Sequence, residues 1–187
     1  VVVAAGGAAW LYFNQNQPRS GQTIAVSQGY GQGDYALVDH TGAPFAYDDF
    51  LGKPAMVFFG FTHCPDVCPT TLADMTYWYE QLGADAEEIE AFFVSVDPER
   101  DTPELMASYV DWTGRVTGVT GEREEVEKMI EAWGVYAERV ELERGGYNVD
   151  HTASVFLIDE NGGFFGTIAY QESSDTAIGK LRRLISS

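Results

Sequence analysis

At 187 residues, with 45% apolar and 13% aromatic side chains, the chain is long enough to build one domain around a substantial core. Its 29 acidic residues against 11 Lys and Arg give a formal charge of −18 at pH 7. Phosphate binding needs clustered Lys and Arg, so a nucleic-acid partner is excluded and anionic headgroups are repelled. The acidic residues crowd 85–104 and 122–143, where they read as solvated helix faces or as a docking surface for a basic partner.

Residues 1–13 are small and apolar and end in Trp10, Tyr12 and Phe13, the pattern of a truncated membrane anchor or targeting remnant. At 1.5 Å per residue such a segment spans only about 20 Å of a roughly 30 Å hydrocarbon core, so it cannot cross alone. Residues 14–33, rich in glycine and glutamine, read as a flexible linker, and 34–187 as the domain. Either origin of 1–13 places the domain outside the cytosol, membrane-anchored on the periplasmic side of the inner membrane if the source is bacterial. A cysteine pair there meets oxidants.

In the domain, Tyr35–His40 and Pro44–Tyr47 flank Thr41-Gly-Ala and read as a short hairpin. Ala55–Phe59 and Ala91–Val96 are continuous apolar runs, as in strands buried on both faces of a parallel sheet. Between them Cys68, Leu72, Met75, Tyr79 and Leu82 fall on one helical face that Gly83 ends. This is a βαβ unit with cysteines at its turn. A second helix starts at Pro103 with Thr102 as its cap, and a third covers Glu122–Trp133 with Val126, Met129, Ile130 and Trp133 inward. Ser154–Ile158 and Phe164–Ile168 enclose the turn-rich Asp159–Gly163 and predict a second hairpin, followed by a helix from Asp175 that buries Ile178, Leu181 and Leu184 or Ile185. That order predicts an α/β fold, a thioredoxin-like sandwich with an added N-terminal β-hairpin.

The chemistry belongs where the first buried strand ends and its helix begins. Cys64 and Cys68, the only cysteines, sit there, each followed by a proline. A helix start supplies N–H groups and partial positive charge, which favour thiolate, the form that attacks disulfides and binds metals. With three intervening residues the spacing alone leaves a metal site, a redox dithiol and a structural disulfide open. A metal needs a further ligand, and only three histidines exist. His151, just ahead of the strand Ser154–Ile158, is the candidate, because in a thioredoxin-like sheet the start of that strand faces the cysteine loop. His63 neighbours Cys64 but points away along the chain, and His40 lies at a distant turn. Two thiolates and one imidazole suit Cu(I), or Cu(II) with an added ligand. Zinc would want a fourth protein ligand and iron–sulfur clusters more cysteines.

Three segments together resemble the SCO/SenC family: Gly60-Phe-Thr-His-Cys-Pro-Asp-Val-Cys-Pro69, Ser95-Val-Asp-Pro-Glu-Arg-Asp-Thr-Pro103 and Val149-Asp-His-Thr152. The resemblance spans Tyr35–Ser186. It implies a thioredoxin-like fold, Cys64, Cys68 and His151 as copper ligands, and delivery of copper to the binuclear site of cytochrome c oxidase subunit II during oxidase assembly. A copper donor and a thiol reductant, neither identified, would complete the partners. The alternative function is a thiol–disulfide oxidoreductase that reduces the subunit II cysteines, with Cys64 attacking and Cys68 resolving. The residues Thr152-Ala153 stand where thioredoxin-type oxidoreductases usually carry a proline, which favours metal binding. Asp97 and Asp101 are candidates for supporting the site or for ordinary turn and cap chemistry, and Asp150 for orienting His151.

Overall fold

The computed structural model describes residues 29–187, so the expected anchor at 1–13 and the expected linker over 14–28 lie outside the described residues. Leu37–Asp39 (β1) and Pro44–Phe45 (β2) form the N-terminal hairpin, with Leu37 opposite Phe45. Its turn is held by the Asp39 carboxylate, which accepts from the Thr41 and Ala43 amides at 2.8 and 3.0 Å. Tyr47, expected to extend the second strand, instead begins a 3₁₀ turn over Tyr47–Phe50, in which Asp49 accepts from the Ala46 amide at 2.7 Å.

Ala55–Gly60 (β3) is buried throughout, and Val67–Leu82 (α1) follows it. Glu90–Ser95 (β4) then lies parallel to β3, with Phe58 opposite Phe93. Pro103–Val110 (α2) starts as expected: the Thr102 hydroxyl accepts from the Leu105 amide and Pro103 needs no partner for an N–H. Val116–Thr120 (β5) pairs in parallel with β4 and antiparallel with β1, which joins the N-terminal hairpin to the sheet edge. Its sequence, two threonines around Gly118, gave no apolar run to read. Arg123–Trp133 (α3) carries Val126, Met129 and Trp133 inward.

Ala137–Glu141 (β6) and Tyr147–His151 (β7) form a separate antiparallel hairpin that the sequence pattern does not predict. The strand β6 is charged and largely exposed, so no buried face marks it. Val155–Ile158 (β8) lies antiparallel to β3, and Phe164–Ile168 (β9) antiparallel to β8. Ser174–Ile185 (α4) closes the chain, capped by Ser173 and packed on α1. The main sheet runs β2-β1-β5-β4-β3-β8-β9. Successive β3 side chains divide the core: Phe59 meets Trp133 of α3, and Phe58 and Gly60 face Phe93 and α1 on the other side. The thioredoxin-like α/β sandwich is thus formed.

Trp133 is fully buried and has ring contacts with Phe50, Phe59 and Phe156 at 5.3, 5.5 and 6.0 Å. It also receives the start of the described chain. Tyr30 packs edge-on against it at 5.5 Å and donates its hydroxyl to the Trp133 carbonyl at 2.8 Å. Gly31, at φ +76°, passes so close that a Cβ would stand 2.3 Å from the indole ring. Residues 29–33, expected within the linker, therefore lie against the domain, because Tyr30 and Gly31 give this stretch specific contacts that its glycine content conceals. Replacing Trp133 with Ala empties the centre of this aromatic cluster, and urea denaturation should show a loss of about 3–5 kcal/mol; a loss under about 1 kcal/mol would contradict this account of the core.

Candidate metal centre

Parallel β3 and β4 deliver their carboxyl ends to the same edge, and the loop from Phe61 to Asp66 rises there. Gly60 is a steric requirement. A Cβ on it would stand 2.7 Å from Cys68 Sγ and 2.6 Å from the Phe93 ring, so any side chain would displace the sulfur. The helix α1 begins at Val67, which places Cys68 in its first turn and leaves Cys64 in the loop. The loop itself is fastened from the segment between β4 and α2: the Asp101 carboxylate accepts from the Thr62 hydroxyl at 2.6 Å, the Thr62 amide at 3.2 Å and the Ser95 hydroxyl at 2.7 Å.

The two thiols are free and differ in setting: Cys64 is half-buried and Cys68 fully buried. The Cys68 amide donates to Cys64 Sγ at 3.3 Å. Hydrogen bonding from the Cys68 thiol, with the Cys68 and Asp66 amides, outweighs partial burial and holds the Cys64 thiol well below the ordinary range. Cys68 moves the opposite way, raised by the same hydrogen bond to Cys64 and by its own burial. The hydrogen bond they share thus favours the thiolate form on Cys64 and the proton on Cys68.

His151 is the last residue of β7, and its Nε2 lies 3.6 Å from Cys68 Sγ. Its Nδ1 is 3.0 Å from the Thr152 carbonyl, an acceptor only, so Nδ1 carries the proton and the Nε2 lone pair faces the sulfurs. Phe61 and Phe58 pack edge-on to the imidazole at 5.7 and 6.2 Å and fix its plane. The ligand atoms of Cys64, Cys68 and His151 all lie within 4.8 Å of one another. Donors sharing one ion at bond lengths of about 2.0–2.3 Å stand roughly 3.5–4.5 Å apart, so the set fits a three-coordinate ion with small adjustment. A cleft lined by Phe61, Cys64, Pro65, Asp150 and His151 gives the centre access to solvent.

The other candidates separate from this centre. His63 is exposed and bonds its neighbour Thr62 at 3.0 Å, and His40 accepts from the Gly118 amide at 3.1 Å. Asp150 is exposed and the Thr152 carbonyl orients the imidazole in its place; a main-chain group leaves no mark in a sequence. Asp97 and Asp101 are 4% and 1% exposed and do more than shape a turn. Burial pushes the Asp101 carboxyl upward against the hydrogen bonds from Ser95 and Thr62. Asp97 pairs with Arg100 and accepts from the Tyr147 hydroxyl at 2.7 Å. Thr62, Ser95, Arg100 and Tyr147 were missed as supporting residues, although the first three lie in the motifs that carried the resemblance.

The SCO1/SenC family model matches residues 25–186. A mitochondrial SCO2 homologue from Bos taurus is 36% identical over 191 aligned positions, covering 97% of this chain and 72% of its own. Among solved structures, copper-bound ScoI of Bradyrhizobium japonicum superposes with a TM-score of 0.75 at 38% identity, over 82% of this chain and 98% of that one. Copper-bound yeast Sco1 gives 0.74 at 28% identity, over 83% and 88%. The chain belongs to the SCO1/SenC family.

Proposed function

We propose that this protein binds copper through Cys64, Cys68 and His151 and delivers it to the binuclear copper site of cytochrome c oxidase subunit II during oxidase assembly. The observation that carries the reading is the convergence of two sulfurs with an imidazole nitrogen whose lone pair is left free by the Thr152 carbonyl. Copper suits this donor set, since two soft thiolates hold Cu(I) and the imidazole keeps Cu(II) bound. The copper-bound ScoI and Sco1 structures support the choice of ion. The half-exposed Cys64 beside the cleft gives an acceptor thiolate a place to enter, so that the ion passes by stepwise exchange of sulfur ligands.

A second reading rests on the same dithiol. With Cys64 as thiolate and Cys68 protonated behind it, the pair is arranged to attack a disulfide and then resolve the mixed intermediate. The two roles are sequential, because the cysteines must be reduced before they take up metal. Among the described residues no helix is long and apolar enough to cross a membrane. Membrane attachment through the apolar 1–13 segment, with the domain on the periplasmic side if the source is bacterial, belongs to the same proposal.

Titrating the reduced protein with Cu(II) tests the ligand set. His151→Ala should weaken Cu(II) binding by more than the roughly 10–100-fold typical of losing a supporting contact, and should shift the thiolate charge-transfer band. An unchanged affinity and band would remove His151 from the site. For the metal-free dithiol, iodoacetamide should label Cys64 rapidly at pH 6, where an ordinary thiol is largely protonated, and leave Cys68 nearly untouched. Equal labelling of both at that pH would contradict the division of roles.

A further inference from the structure

The strand that carries His151 belongs to a hairpin outside the main sheet. The ladder of the main sheet therefore reaches it only through the short link to β8, and its final placement depends on the side chains it turns inward. Tyr147, Val149 and His151 alternate along one face of β7, and two of them meet the domain through identifiable contacts. His151 reaches Cys68. Tyr147, at the opposite end of the strand, is held between two guanidinium groups, those of Arg100 and Arg139, each 3.7 Å from its ring centroid.

Arg100 is the centre of this arrangement. It pairs with buried Asp97, donates from Nη1 to the Tyr147 carbonyl at 3.1 Å, and lies 5.6 Å from the centroid of Phe61, the ring that packs against His151. Asp97 also accepts from the Tyr147 hydroxyl at 2.7 Å. The loop between β4 and α2 thus grips the hairpin by both the ring and the main chain of one residue. Glu99 adds pairs to Arg123 and Arg139, but these side chains are about half exposed and solvent screens them, so the grip lies with Asp97, Arg100 and Tyr147.

We propose that Asp97, Arg100 and Tyr147 form a clamp that docks the β6–β7 hairpin and thereby sets the distance of His151 from the two cysteines. They are positioning residues: none offers an atom to the metal. The clamp gives Asp97-Pro-Glu-Arg100 a task that turn formation alone does not require, and it makes the third ligand adjustable while the cysteines stay fixed in the loop after β3 and in the first turn of α1. Loosening it would withdraw the imidazole and leave a two-sulfur site. This inference rests on the copper reading for its consequence and on the metal-free structure for its geometry.

The test uses Arg100→Lys, which keeps the charge but loses the planar stack, and Tyr147→Leu, which loses both ring and hydroxyl. In the metal-free protein, amide exchange over residues 147–151 should accelerate by about tenfold or more in both variants while the β3 and β4 amides keep their protection. With Cu(II) added alone, the thiolate charge-transfer band of each variant should move toward that of His151→Ala. Unchanged exchange, a rise of the same size throughout β3 and β4, or a band identical to the parent's would each overturn the clamp. If the parent protein gives no Cu(II)–thiolate band at all, the copper reading fails, and the exchange result alone decides whether the hairpin is clamped.

Discussion

The antiparallel pairing of β8 against β3 is the constraint on which the candidate centre depends. Because the strands run in opposite directions, Val155 at the start of β8 sits opposite Phe58 near the end of β3. The chain entering β8 therefore passes the place where β3 releases the cysteine loop. His151 lies four residues before Val155, and Cys64 and Cys68 lie four and eight residues after Gly60. Sequence positions more than eighty apart are joined by one strand pairing. The pairing in turn is secured by fully apolar faces, with Phe58, Phe59, Leu157 and Ile158 all buried, since a slip of one residue would turn each of these side chains to the opposite face of the sheet.

Around that frame the two buried carboxylates near the site, Asp97 and Asp101, both have partners. Asp101 lies close enough to raise the Cys68 thiol, and its carboxylate takes three donors from Thr62 and Ser95. Removing those donors would leave a buried acceptor unsatisfied, which costs more than the hydrogen bonds contribute. The same carboxylate that fastens the loop thus favours a protonated Cys68, while the helix start and the Cys68 thiol favour an ionised Cys64. A chain carrying −18 would be expected to resist a further thiolate; local hydrogen bonds prevail because they act at about 3 Å, whereas salt screens exposed charges beyond roughly 8–10 Å.

Much of this was legible in the residues. Continuous apolar runs marked β3 and β4, the 68-72-75-79-82 pattern marked the inward face of α1, and Thr102-Pro103 marked the start of α2. His151 was found by asking which histidine a thioredoxin-like sheet would bring to the cysteines. What escaped had no side-chain pattern to betray it. The strand β5 is interrupted by Gly118, β6 is charged because it is exposed, and the imidazole is oriented by a main-chain carbonyl. The contacts of Tyr30 and Gly31 with Trp133 escaped for a related reason: glycine-rich sequence reads as linker whether its freedom serves motion or close approach.

The central claim is that two sulfurs and one imidazole nitrogen surround a single copper ion. X-ray absorption at the copper edge of the loaded protein measures this most directly. The account predicts two sulfur neighbours at about 2.2–2.3 Å and one nitrogen at about 2.0 Å, with the outer-shell scattering of an imidazole ring. A first shell of sulfur alone, or one with several nitrogens and a single sulfur, would contradict it.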